Sequence, residues 1–361
     1  MNKSPIVIQL IDSLSPGGAE MMAVNIANGL TEKGIESHIC STRLEGGLKS
    51  KIDDSVGYLF LNKKKTLDFR ATKKLYSYIK QHNIQVIHAH SSSYFIAFLI
   101  KILKPTIKII WQDHYGNSEN LEQRSKFPIN LISYTFNSII SVNLVLKEWA
   151  KTYLKSKNIY FIPNFASFNR SVSKITFLKG EVNKRIVCLA NLRPQKDHLT
   201  LLKAFTIVHE KHTDWTLHLV GLDLNDLYSE KIKLFIKENK LDNHVFLYGS
   251  CSDTQFILEQ ATIGVLSSKS EGLPVALLEY GLSKLPVVVT NVGECGSVVN
   301  NTVNGLVVAP NSEYEFAKRV LMLIGNSDFR LKYGKNLHNE IQLNYSKENY
   351  ITQLLSIYKS E

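Results

Sequence analysis

Short apolar runs alternate with longer stretches of helical period along the whole chain. The strand-like runs lie at residues 5–11, 37–41, 85–88, 107–112, 138–142 and 159–162. A second series follows at 185–190, 215–220, 244–248, 263–266, 286–290 and 306–308. Strands separated by helix-length segments predict parallel sheets covered on both faces. Two consecutive series predict two doubly wound α/β domains, at residues 1–165 and 166–344, with the boundary in the polar stretch 164–182. At the end of the chain, Tyr350, Ile351, Leu354, Leu355 and Tyr358 fall on one stripe of a terminal amphipathic helix spanning 345–361.

Composition agrees with that outline. At 361 residues the chain is too long for one typical core, and 44% hydrophobic with 21% charged residues is ordinary for a globular enzyme. No apolar run reaches the roughly 18 residues of a spanning helix, and residues 6–11 are too short for a signal-peptide core. Four cysteines (Cys40, Cys188, Cys251, Cys295) form no CxxC pair, as expected of a reducing cytoplasm. The net charge of +11 is uneven, with 21 Lys and Arg against 12 Asp and Glu in residues 1–165. Such asymmetry suits an anionic partner, either a membrane surface carrying a lipid-linked acceptor or nothing beyond solvent. Nucleic acid is not expected, because no binding module accompanies the charge.

The segment Ser267-Ser-Lys-Ser-Glu271-Gly-Leu-Pro-Val-Ala-Leu-Leu-Glu279 carries the most information. It follows an apolar strand, and Pro274 suits the first position of a helix. Glu271 then lies in the loop and Glu279 about two turns into the helix. Their offset spans about 12 Å at most, the distance between the two sugars of a nucleotide sugar. The helix N-terminus between them offers N–H groups to a diphosphate. Upstream, Arg193 and Lys196 stand in the loop after the strand-like run 185–190, where an anion binds in an open parallel sheet. Arg gives forked contact to phosphate and Lys a point charge, and together they would neutralise a departing diphosphate.

Other chemistries find no support. There is no GxGxxG, no GxxxxGK[ST] and no GxSxG. No Asp-x-Asp stands ready to hold a metal-bound diphosphate, and His88 with His90 lacks a third metal ligand. No metal and no cofactor are expected.

These segments together resemble the family 4 retaining glycosyltransferases of the GT-B fold over essentially the whole chain. The matching motifs are Gly17-Gly-Ala-Glu20, Ile162-Pro-Asn164, the Arg193 and Lys196 loop, and Glu271-x7-Glu279. They continue with Pro286-Val-Val-Val-Thr290, Gly293 and Asn304-Gly-Leu-Val-Val308. The resemblance implies two Rossmann-like domains facing a cleft, with the terminal helix crossing back to the first. It implies transfer of a hexose or N-acetylhexosamine from a nucleotide-diphosphate sugar to a glycan or lipid-linked acceptor in surface polysaccharide synthesis. Glu271 would contact the transferred sugar, Glu279 the ribose, and Arg193 with Lys196 the diphosphate. The amides of Gly272 and Leu273 would approach sugar or phosphate, and Gly17 with Gly18 would close over the donor. Residues 246–250 would pass the base, and His114 would contact the sugar. The family usually has Arg where Asn191 stands, and a Glu near Ser297 where this chain offers only Glu294 nearby. Other readings on the same fold are a nucleotide-sugar epimerase or hydrolase, and an inactive donor-binding subunit. The expected place of work is the cytoplasm, at the inner face of the membrane.

Overall fold

The computed structural model describes residues 4–168 and 174–360, so part of the 164–182 linker lies outside the described residues. The chain divides into two compact units, one reaching to Phe165 and including the helix from Lys347 onward, the other Ala166–Ser346.

The first unit is a seven-stranded parallel sheet. Its strands are β1 (Val7–Ser13), β2 (Ser37–Leu44), β3 (Gly57–Phe60), β4 (Val86–His90), β5 (Lys108–Asp113), β6 (Ser138–Ser141) and β7 (Ile159–Phe161). They lie in the order β3-β2-β1-β4-β5-β6-β7. Six of the seven match apolar runs in the sequence to within a few residues. The exception is β3, an edge strand whose apolar run is short and in which only Leu59 is buried. Helices cover both faces because parallel neighbours require long crossovers. One face buries Leu75, Ile100, Trp111 and Trp149, the other Leu14, Val24 and Ala27.

The helix Lys347–Lys359 belongs to this unit. It buries Tyr350, Ile351, Leu354, Ile357 and Tyr358, whereas Leu355, expected on that stripe, is only partly buried. Gly29 in the helix Gly18–Glu32 makes the contact close, since a Cβ there would lie 3.1 Å from Ile351. Tyr350 packs at a tilt against Phe165 with ring centroids 4.8 Å apart.

The second unit is a six-stranded parallel sheet of β8 (Arg185–Leu189), β9 (Thr216–Val220), β10 (Val245–Gly249), β11 (Ile263–Leu266), β12 (Val287–Thr290) and β13 (Leu306–Val308). The order is β10-β9-β8-β11-β12-β13. Leu202, Phe205, Val265 and Phe316 lie in its core. In both sheets the chain runs outward from a central strand and then returns to build the other side. The switch points fall between β1 and β4, and between β8 and β11, and ligands of open α/β sheets bind beyond the carboxyl ends of strands at such points. Among the described residues no helix is long and apolar enough to cross a membrane.

Candidate active site

The loops leaving β8 and β11 meet at the switch point of the second unit. After β8 the chain passes a short 3-10 turn, Pro194–Lys196, and enters the helix His198–Lys211 through Asp197, which is left-handed at φ 48°. After β11 it reaches Glu271 and then the helix Val275–Leu282. Ser267 stitches the two loops, its hydroxyl contacting the carbonyls of Lys196 at 3.1 Å and Asp197 at 3.0 Å. The Lys269 amide donates to the Gln195 carbonyl at 2.8 Å.

This stitching brings Lys196 onto Glu271. The ammonium reaches the two carboxylate oxygens at 2.6 and 2.7 Å, and the Ser268 hydroxyl donates to Oε1 at 2.6 Å. Glu271 is buried, while Lys196 keeps a fifth of its side chain exposed. The sequence reading gave the two residues separate ligand groups, and the structure makes them a hydrogen-bonded ion pair. Such a pair at the mouth of a sheet holds both side chains in one geometry while leaving the ammonium open to an incoming anion.

The remaining candidates of this unit are placed around the pair. Pro274 is the cap of the helix Val275–Leu282 and not its first residue, and no side chain caps that end. Glu279 is the fifth helical residue, a little over one turn in and not two, and it is buried. Gly272 and Leu273 form the approach to the helix. Gly293 has φ +51°, and a Cβ on it would stand 2.2 Å from the Glu271 carbonyl oxygen and 2.5 Å from that of Gly272. Glycine is therefore required there for the next loop to back onto the Glu271 turn. The Glu294 amide completes that backing by donating to the Gly272 carbonyl at 2.9 Å. Arg193 lies exposed at the start of the turn. Asn191 has a local structural task, accepting the Leu222 amide at 2.8 Å. Residues 246–250 comprise most of β10 and its exit, where Gly249 has φ +66°.

In the first unit Gly17 caps the helix Gly18–Glu32 directly beyond β1, and Glu20 folds back so closely that a Cβ on Gly17 would collide with its carboxylate. Across the switch point, β4 and β5 present a row of hydrogen-bonded imidazoles. His114 Nε2 lies 3.0 Å from His90 Nδ1, and His90 Nε2 lies 2.9 Å from Gln9 Oε1. Gln9 Nε2 contacts the Tyr358 hydroxyl at 3.4 Å, and that hydroxyl lies 2.7 Å from His88 Nδ1. The amide oxygen can only accept, so His90 Nε2 carries the proton and its Nδ1 accepts from His114. His114 is thereby left with an unprotonated Nδ1, an acceptor suited to a sugar hydroxyl. The sequence reading singled out all three histidines, placed Tyr358 only on the apolar stripe of the terminal helix, and passed over Gln9. Tyr358 lies 270 residues from His88 in the chain, and only the docked terminal helix joins them.

Burial pushes His88 and His114 down to about 3 and His90 well below its ordinary value, and neighbouring histidines add to the fall at His88 and His90. Unfolded histidine titrates near 6.5. The stability from these neutral rings is therefore fully present above that pH and lost as pH falls through 6.5 toward the folded values. Each ring contributes a slope of up to about 1.4 kcal/mol per pH unit. The expected result is a Tm that drops between pH 7 and pH 5, with a smaller drop in His114→Asn. An identical drop in the variant would show that His114 is not one of the responsible groups.

Comparison with known proteins places the whole chain in a family. Residues 171–340 match the family model described as glycosyl transferases group 1, and residues 16–170 match that of glycosyltransferase family 4. An uncharacterized glycosyltransferase of Haemophilus influenzae is 26% identical over 330 residues, covering 88% of this chain and 90% of that protein. The UDP-Gal:alpha-D-GlcNAc-diphosphoundecaprenol alpha-1,3-galactosyltransferase of Escherichia coli is 23% identical, over 87% of this chain and 86% of its own. Among solved structures, Anabaena HepE in complex with UDP and glucose superposes with a TM-score of 0.81 at 16% identity, covering 98% and 99% of the two chains.

Proposed function

The chain belongs to the family 4, group 1 glycosyltransferases, and from that premise we propose that it transfers a hexose or N-acetylhexosamine from a nucleotide-diphosphate sugar with retention of configuration. The acceptor is a glycan or a lipid-linked saccharide of surface polysaccharide synthesis. The Escherichia coli relative, named for a galactosyl transfer onto a lipid-linked sugar, supports that acceptor class, and the UDP and glucose complex of HepE supports the donor class.

The observation that carries the reading is the Lys196 and Glu271 pair at the β8/β11 switch point. The donor diphosphate lies against the Lys196 ammonium and the uncapped end of helix Val275–Leu282, with the Gly272 and Leu273 amides beside it. Arg193 reaches it from the exposed start of the turn. Glu279 accepts the ribose hydroxyls. As the bond from the anomeric carbon to the diphosphate oxygen breaks, negative charge grows on the leaving group and Lys196 stabilises it. The acceptor hydroxyl attacks the same face and passes its proton to the departing phosphate oxygen. Glu271, fixed by Lys196 and Ser268, orients the sugar and steadies the positive charge developing on its ring. We assign His114 and the Gly17-Gly18 turn to the sugar-handling end of the N-terminal sheet.

Transfer needs no metal in this scheme, because Lys196, Arg193 and the helix end supply the positive charge. Initial rates are expected to be the same with and without EDTA, and NMR of the product is expected to show the donor's anomeric configuration. Loss of activity restored by Mg²⁺ or Mn²⁺, or an inverted product, would refute this scheme.

Peripheral membrane attachment is part of the proposal, with a narrower basis than the sequence suggested. Lys63 is buried rather than on the basic surface, and Lys101, Lys104 and Lys108 each donate to a main-chain carbonyl. Lys64, Lys65, Arg70 and Lys73 are exposed, and Leu67 at 56% and Phe69 at 85% stand among them. This loop leaves the carboxyl end of β3, at the same edge of the sheet as the Gly17-Gly18 turn. Cations around two exposed apolar side chains suit an anionic leaflet, at about 1 kcal/mol per cation. Co-sedimentation with anionic vesicles is expected at low salt and is expected to fall with salt and in Phe69→Ser. Equal binding to neutral vesicles, or none at low salt, would remove the membrane reading and leave the transfer chemistry untouched.

A further inference from the structure

At the opposite edge of the N-terminal sheet, where its strands begin, three side chains converge that the transfer reaction does not use. Glu36 directly precedes β2, His38 is the second residue of that strand, and His82 closes the helix Phe69–Gln81. One ligand atom from each lies within 4.8 Å of the other two. His38 is buried, His82 half-buried and Glu36 exposed.

The geometry around His38 is that of a ligand with an outer partner. Its Nε2 faces Glu36 Oε1 at 3.4 Å, while its Nδ1 lies 2.9 Å from the Tyr78 hydroxyl. The first separation is long for a hydrogen bond. It matches the edge of a tetrahedron with metal–ligand bonds of about 2.0–2.2 Å, which is about 3.3–3.6 Å. The second contact is what metal-bound histidines make through their other ring nitrogen. The His82 ring makes no hydrogen bond among the described residues and packs at a tilt against two rings, with its centroid 4.2 Å from that of Tyr78 and 4.9 Å from that of His38. Its position at a helix C-terminus favours a cation nearby. Gly57 of β3 makes room for the arrangement, since a Cβ there would fall 2.0 Å from His38 Nδ1.

We propose that Glu36, His38 and His82 bind a zinc ion, with water at the fourth position, and that the ion fastens β2 to the helix Phe69–Gln81. Two imidazoles and one carboxylate are a zinc ligand set. The site lies at the amino ends of the strands, away from the loops that carry the chemistry, so the ion takes no part in the transfer. His38 binds through Nε2 as the neutral tautomer with its proton on Nδ1, which donates to the Tyr78 hydroxyl.

The test uses the full chain, stripped with a chelator and dialysed, and titrated calorimetrically with Zn²⁺. One equivalent is expected to bind, and Zn²⁺ is expected to raise Tm while leaving the initial transfer rate unchanged. His82→Ala and Glu36→Gln remove groups with solvent exposure, so the metal-free variants are expected to keep the metal-free Tm of the parent. Each is expected to weaken Zn²⁺ at least as strongly as Tyr78→Phe, for which loss of the outer partner predicts about 10–100-fold. Absence of Zn²⁺ uptake would overturn the site. Uptake that both His82→Ala and Glu36→Gln leave intact would place the ion elsewhere and overturn it equally.

Discussion

Lys196→Ala is expected to lower kcat by about 10²–10³-fold, the usual consequence of removing one fixed group that stabilises transition-state charge. The effect should fall on kcat more than on donor affinity, because the charge that Lys196 neutralises grows as the glycosidic bond breaks. A stability cost accompanies it. Lys196 binds both oxygens of a buried carboxylate that also accepts the Ser268 hydroxyl, and its removal takes that ammonium away from Glu271. Breaking a buried pair costs about 3–5 kcal/mol, and the one-fifth exposure of Lys196 lets water lower that figure. Pairing the change with Glu271→Gln separates the two effects. The double variant is expected to recover most of the lost Tm and none of the lost rate. A Lys196→Ala enzyme with normal kcat and raised KM would show that the lysine only binds.

Glu279→Ala is expected to weaken donor binding by about 10²-fold or more. Two ribose hydroxyls would each lose a charged acceptor worth about 1.5–3 kcal/mol. The residue is buried in the helix Val275–Leu282, so its carboxylate is held in place before the donor arrives and little ordering entropy is lost on binding. Calorimetry with the donor nucleotide is the direct readout. Unchanged affinity would take the ribose away from Glu279.

The parts of this molecule that could be read from sequence were those with a local pattern. Buried parallel strands read as short continuous apolar runs because neither face meets water, and β8 is buried at every position. β3 escaped because it is an edge strand with a single buried side chain. The candidate residues Glu271, Glu279, Arg193 and Lys196 were legible because each follows a strand and stands near a helix start. Their pairing was not. Lys196 and Glu271 are 75 residues apart, and only the adjacency of β8 and β11 in the sheet joins them. The same holds for Glu36, His38 and His82, whose spacing follows no metal motif and whose meeting depends on how the helix Phe69–Gln81 packs beside β2. Charge counting erred for a related reason. It treated every lysine of the N-terminal unit as a surface cation, whereas Lys63 is buried and burial holds its ammonium below the ordinary lysine value.

Nucleotide binding tests the central claim, that a diphosphate sugar is held at the β8/β11 switch point by Lys196 and its neighbours. The measurement is Tm of the parent chain and of Lys196→Met with UDP, GDP and ADP, each beside its monophosphate. One diphosphate is expected to stabilise the parent well beyond its monophosphate, and that difference is expected to shrink or vanish in Lys196→Met. Stabilisation by none of the diphosphates, or the same difference in both proteins, would contradict the account.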